Sequence, residues 1–130
     1  MSKPHKKLIA WRKSMDLVEK IYELTRAFPR EEVYGLSSQM RRAAISVPSN
    51  IAEGAAGRSQ VQFRNYRSVA IGSLNELSTQ LEIAHRIRYL EASVFGDTES
   101  QIDECLAVTY GLRKSLRWDW IDCLLLTAYG

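Results

Sequence analysis

Apolar residues return every three or four positions along almost the whole of this 130-residue chain, and no stretch alternates like a half-buried strand. Such spacing gathers large side chains on one face of a helix, which confines the fold to packed helices. In a first helix, predicted from about residue 8 to 28, Trp11, Met15, Val18 and Tyr22 form one ridge. Leu17, Ile21, Leu24 and Phe28 form a second ridge beside it. Pro29 ends this helix, because a residue preceding proline is pushed out of the helical region. A second helix is predicted over about residues 34–56, and Gly57 supplies its stop. Ser59 with Gln62 has capping-box spacing and opens a third helix reaching about residue 90. Its inward stripe is Phe63, Tyr66, Ala70, Ser73, Leu77, Leu81 and Ala84. Gly96, then Thr98 with Gln101, repeats that punctuation and opens a fourth. Ile102, Cys105, Leu106, Thr109, Leu112, Leu116 and Trp120 fall on one of its faces. Four long amphipathic helices with short connections predict an all-α, antiparallel up-down-up-down four-helix bundle. The bundle is expected as one domain over residues 1–130, with a basic tail at 1–7 and a C-terminal extension at 118–130.

The second helix carries an anomaly, the segment QMRRAAISVPSNIAEGAAG at residues 39–57. Pro48 removes one backbone N–H and clashes with the carbonyl of Ala44, at a cost of about 3 kcal/mol in a plain helix, so a kink is expected there. On a helical wheel, Leu36, Met40, Ala43, Val47, Ile51 and Gly54 make the core stripe, with Arg41, Ile45, Pro48 and Ala52 pointing the other way. Gln39, Ser46, Asn50 and Glu53 border the stripe, and Ser73 and Glu76 face them from the third helix. This polar row is expected to be partly buried and to fix helix register, since a paired polar network disfavours other registers. A di-metal bundle would need Glu-x-x-His pairs. His85 lies about three turns from Glu76 and His5 is in the tail, so neither a metal nor another cofactor is expected. Nor does anything suggest a sugar cleft for a carboxylate pair. No enzymatic activity is expected.

Charge separates along the sequence. Residues 1–70 carry 13 Lys/Arg against 6 Asp/Glu, and residues 71–130 carry 5 against 9, so a polyanion or a second copy could be steered to one face. Candidate phosphate contacts are Lys3, Lys6, Lys7, Arg12, Lys13, Arg41, Arg42, Arg58, Arg64 and Arg67, the last three near the turn between the second and third helices. No helix-turn-helix, RNA-recognition motif or basic zipper is present, so base-specific reading is not expected. Cys105 and Cys123 are too few for a disulfide framework, and no apolar run reaches the roughly 20 residues of a membrane span. The basic N-terminus has no signal-peptide pattern, and the expected location is the cytoplasm. Ile45, Ala52 and Ala56, with Trp118, Ile121 and Leu125, are apolar beyond what the core needs. On one face they would mark an interface.

Trp11, Tyr22, Phe28-Pro29, Glu32, Gly35-Leu36, Gln39, Arg41-Arg42-Ala43-Ala44, the run SVPSNIAEG at residues 46–54 and Ser73-x-x-Glu76 resemble the four-helix-bundle proteins of the 23S rRNA intervening-sequence family. The resemblance covers about residues 8–116, with Val47 where the family usually has Ile. It implies a bacterial bundle assembling as a ring-like homopentamer, with no enzymatic activity. The chain is also similar to the accessory proteins of diversity-generating retroelements, which implies nucleic acid and a reverse transcriptase or another protein as partners. Two readings stand at this point. One is a homo-oligomer binding nucleic acid, RNA in preference to DNA, through a basic surface. The other is a structural oligomer or protein-partner adaptor that binds none.

Overall fold

A computed structural model describes residues 3–113, with Pro4 and Lys7 described by their backbone alone. Leu116, Trp118, Trp120, Ile121, Cys123, Leu125 and the extension at 118–130 lie outside those residues. Four helices make the fold: α1 (Ile9–Thr25), α2 (Leu36–Ala56), α3 (Gln60–Arg86) and α4 (Ala92–Tyr110). Each packs on the next, and α4 closes the bundle against α1. The contacts fix alternating directions. Thr25 late in α1 meets Arg41 early in α2, and Arg67 early in α3 meets Leu112 just past α4. Leu17, Ile21, Met40, Val47, Leu74, Leu77, Leu81 and Ile102 fill the space between the four, all fully buried.

Local chemistry explains most boundaries. Ser59 caps α3 as its spacing predicts, its Oγ accepting the Gln62 N–H at 3.0 Å. The end of α3 comes earlier than the sequence suggests. Arg88 takes a left-handed φ of 68°, and the Tyr89 N–H reaches back to the Ala84 carbonyl at 2.9 Å, closing the helix. That closure turns the chain early, so α4 begins at Ala92 rather than beside Thr98. The capping box expected at Thr98 and Gln101 is therefore wrong. Thr98 is buried within α4, its Oγ1 donating to the Val94 carbonyl at 2.7 Å.

Part of the segment expected as a basic tail has regular structure. Pro4–Lys7 form a 3-10 turn packed on α1 and α2, with the His5 ring edge-on to Trp11 at 5.1 Å.

Of the two apolar ridges on α1, only Leu17, Ile21, Leu24 and Phe28 enter the core. Trp11, Met15 and Val18 instead line a largely apolar surface groove of about 340 Å3, closed on the α2 side by Ile45, Pro48 and Ala52. Pro48 is buried here, contrary to its outward place on the wheel, because α2 packs on both α1 and α3 and so buries a wide arc. Alanine at this position restores a helical N–H, worth about 3 kcal/mol in a plain helix. It also removes two ring carbons from the groove, about 1.6 kcal/mol of burial. The difference favours alanine. Pro48→Ala is expected to raise the melting temperature by a few degrees. Light scattering on the same sample reports whether the expected kink shapes self-association, since a straightened α2 would change the particle mass.

Candidate nucleic-acid interface

Close approach of α2 to α3 seats one end of the bundle. A Cβ on Gly54 would lie 3.2 Å from Tyr66 Cβ and 3.5 Å from Phe63 Cδ2, so the absence of a side chain lets the helices meet there. Phe63 is buried by that contact. One turn further on, Arg67 donates from Nη1 to the Leu112 carbonyl at 2.9 Å and so ties the end of α4 to α3. Arg113 follows directly. The result is a pocket of about 240 Å3 lined by Gln60, Phe63, Arg64, Arg67 and Arg113. Three guanidinium groups line it, and among the described residues no carboxylate does. The Nε of Arg67 is buried with no hydrogen-bond partner among the described residues, a donor that an anion would satisfy.

The sequence-predicted cations divide by place. Arg64 and Arg67 share this pocket, whereas Arg58 is exposed on the α2–α3 turn outside it. Arg113 was missed, because it lies far along the chain and only the fold brings it to Arg67. Lys3, Lys6, Arg12 and Arg42 are exposed, with Arg12 Nε donating to the Lys6 carbonyl at 3.0 Å. The Lys7 side chain lies outside the description. Lys13 Nζ pairs with Glu104 of α4 at 3.1 Å across the surface. Arg41 belongs to the opposite end, half-buried over the Tyr22 ring at 4.5 Å and bonded through Nε to Thr25 Oγ1 at 2.9 Å. On α4, Asp97, Glu99, Asp103 and Glu104 are all exposed.

The polar row is shorter than expected. Asn50 Nδ2 donates to the Ser46 carbonyl at 2.7 Å and to Ser46 Oγ at 2.9 Å, and Ser73 Oγ donates to Ser46 Oγ at 2.8 Å across the α2–α3 seam. Gln39, Glu53 and Glu76 are exposed and stand outside this linkage. Glu76 only accepts from Gln80 on its own helix, at 3.2 Å. Ser73→Leu deletes the interhelical donor from a buried site, so a loss of about 1–3 kcal/mol is expected in urea denaturation. An unchanged midpoint would remove the linkage from the structural account.

Among the described residues no three His, Cys, Asp or Glu side chains converge as a metal site would require. Burial pushes the Cys105 thiol up to about 11, so it is a protonated core residue at neutral pH rather than a nucleophile.

Four helices packed around one core define the class, an all-α four-helix bundle. Within that class the chain belongs to the 23S rRNA-intervening sequence protein family, whose model matches residues 6–111. A crystal structure of a protein with unknown function from the S23 ribosomal protein family of Bacteroides thetaiotaomicron VPI-5482 has the same fold. The two chains share 20% identity over 79% of this chain and 93% of that one, with a TM-score of 0.73. No curated protein matches the chain. Among the described residues no helix is long and apolar enough to cross a membrane.

Proposed function

We propose that this protein is a non-enzymatic bundle that assembles with copies of itself and binds nucleic acid, RNA in preference, through its cationic end. One observation carries the reading: Arg64, Arg67 and Arg113 converge on a single concavity that no carboxylate lines among the described residues. A phosphodiester supplies the missing negative charge and accepts from guanidinium forks bidentately. Phosphate contacts of this kind position a strand without reading its sequence, in keeping with the absence of a base-reading motif. The family's association with 23S rRNA genes favours RNA as the strand.

The groove between α1 and α2 supports self-assembly. Trp11, Met15 and Ile45 offer one contiguous apolar surface there, and Met15 and Ile45 are 38% and 41% exposed. In the family's pentameric arrangement five shallow cationic ends would act together, raising avidity without any new contact. Crosslinking in native cells followed by purification tests the whole reading. Recovery of RNA above that of an Arg64→Gln/Arg67→Gln/Arg113→Gln strain is the expected result. Equal recovery from both strains would favour a structural oligomer or protein adaptor.

A further inference from the structure

A second concavity lies at the opposite end of the bundle, between the end of α1 and the start of α2. Its volume is about 300 Å3, and its lining includes Arg26, Arg30 and Arg41 with Thr25 and Ser37. None of the three guanidinium groups lies within ion-pair distance of a carboxylate among the described residues. The adjoining turn has two acidic residues, both outside the lining: Glu31 is exposed, and Glu32 is engaged elsewhere. Its Oε2 accepts the Leu36 N–H at 2.8 Å and its Oε1 the Tyr89 hydroxyl at 3.4 Å.

Two features make this a built site rather than a chance cluster. Arg41 is held on two sides, its guanidinium over the Tyr22 ring and its Nε bonded to Thr25 Oγ1. Thr25 gives its own proton to the Ile21 carbonyl at 2.6 Å, so toward Arg41 it can only accept. The two terminal Nη groups of Arg41 remain as a fork. Ser37 is the second feature. It is 6% exposed and lines the pocket, yet its hydroxyl makes no hydrogen bond within the described chain. Its hydroxyl is therefore free to donate to an acceptor bound in the pocket. Ser37 also sits in the first turn of α2, next to Leu36, whose N–H the Glu32 carboxylate already accepts.

We propose that this pocket binds a phosphomonoester. Three converging guanidinium groups suit a dianion. A phosphomonoester carries about −1.5 to −2 at neutral pH, whereas a phosphodiester or carboxylate carries one charge. Donors arranged around the cavity match the several oxygens of a tetrahedral group better than the two of a carboxylate. Phe28, Pro29 and Val33 complete the wall and face the organic part of the ester. The ester comes either from a free nucleotide or from the terminal phosphate of a nucleic-acid strand. The proposal stands apart from the cationic end around Arg67, about 25 Å away along α2 at the helical rise per residue.

Calorimetric titration of the full chain tests it with four probes. These are adenosine 5′-monophosphate, adenosine, and one RNA oligonucleotide with and without a 5′-phosphate. At least one phosphorylated probe is expected to bind about tenfold tighter than its unphosphorylated partner, one charge-assisted contact being worth that much. Preference within the nucleotide pair identifies a free ester as the ligand, and preference within the oligonucleotide pair identifies a strand end. Arg30→Gln, at an exposed residue, is expected to erase most of that preference without altering the helical circular dichroism. Ser37→Ala is expected to weaken it several-fold. The Arg64→Gln/Arg67→Gln/Arg113→Gln protein is expected to keep it, which separates this site from the other end. Equal binding within both pairs, or a preference untouched by Arg30→Gln, would overturn the proposal.

Discussion

Replacing Arg64, Arg67 and Arg113 together with glutamine is expected to lower affinity for single-stranded RNA about tenfold or more at low salt and to flatten its salt dependence. Each phosphate neutralised on a single strand releases about 0.7 of a counterion, so three lost contacts remove roughly two from the slope of log affinity against log salt. The loss should be nearly equal for unrelated sequences, because phosphate contacts carry no base information. Glutamine at position 67 also gives up the fork that holds the Leu112 carbonyl, so some fraying of the end of α4 accompanies it. The core does not depend on that bond. Leu77, Leu81 and Ile102 are buried without it, and the melting curve should therefore stay cooperative. Arg58→Gln is the internal comparison. This exposed arginine stands on the same turn but outside the pocket, and its removal should take less than one unit from the slope. Binding unchanged in the triple variant would move the interface to Lys3, Lys6 and the N-terminal turn.

The largest effect on stability is expected from Leu77→Ala. Leu77 is wholly inaccessible on α3, in the same core cluster as Leu17, Met40 and Ile102 of the other three helices. Truncation loses the transfer energy of three carbons and leaves a cavity that four packed helices can only partly close, about 2–5 kcal/mol in all. For a domain of this size that lowers the melting temperature by on the order of 10 °C. Val69 on the same helix is 50% exposed, and Val69→Ala should stay within about 0.5 kcal/mol of the parent. Similar losses at the two positions would mean that α3 does not face the core as described.

The helices were legible in the sequence because their signal is repeated many times over. Leu17, Ile21, Met40, Val47, Leu77 and Leu81 recur at helical spacing, and one misplaced residue cannot erase that pattern. Single-residue signals fared unevenly. Ser59 marked a true N-cap, but the same reading at Thr98 failed. The start of α4 is set by the left-handed turn at Arg88, and its cap position, Glu91, contributes no side-chain bond. A helical wheel gives angles but not distances, which is why Gln39, Glu53 and Glu76 seemed to belong with Ser46 and Asn50. Only Ser73 comes close enough to join them.

The cationic sites were the least legible. Arg67 and Arg113 are 46 positions apart and meet only because α3 and α4 run in opposite directions. Arg26 and Arg41 meet because α1 and α2 do. Charge counting found the basic half of the chain, while the convergence of particular guanidinium groups required the fold. The groove beside Trp11 has the same origin. Its residues had the spacing of a core ridge, and only the packed bundle shows that the neighbouring ridge took that place.

Titration of a fluorescent single-stranded RNA with the wild-type protein, from about 50 to about 200 mM salt, tests the central claim most directly. Binding through the cationic end requires measurable affinity at the lowest salt and a linear fall of log affinity with log salt. Its slope should be at least about −2 and should nearly vanish in the Arg64, Arg67 and Arg113 glutamine variant. No binding at the lowest salt, or affinity indifferent to salt, would contradict it.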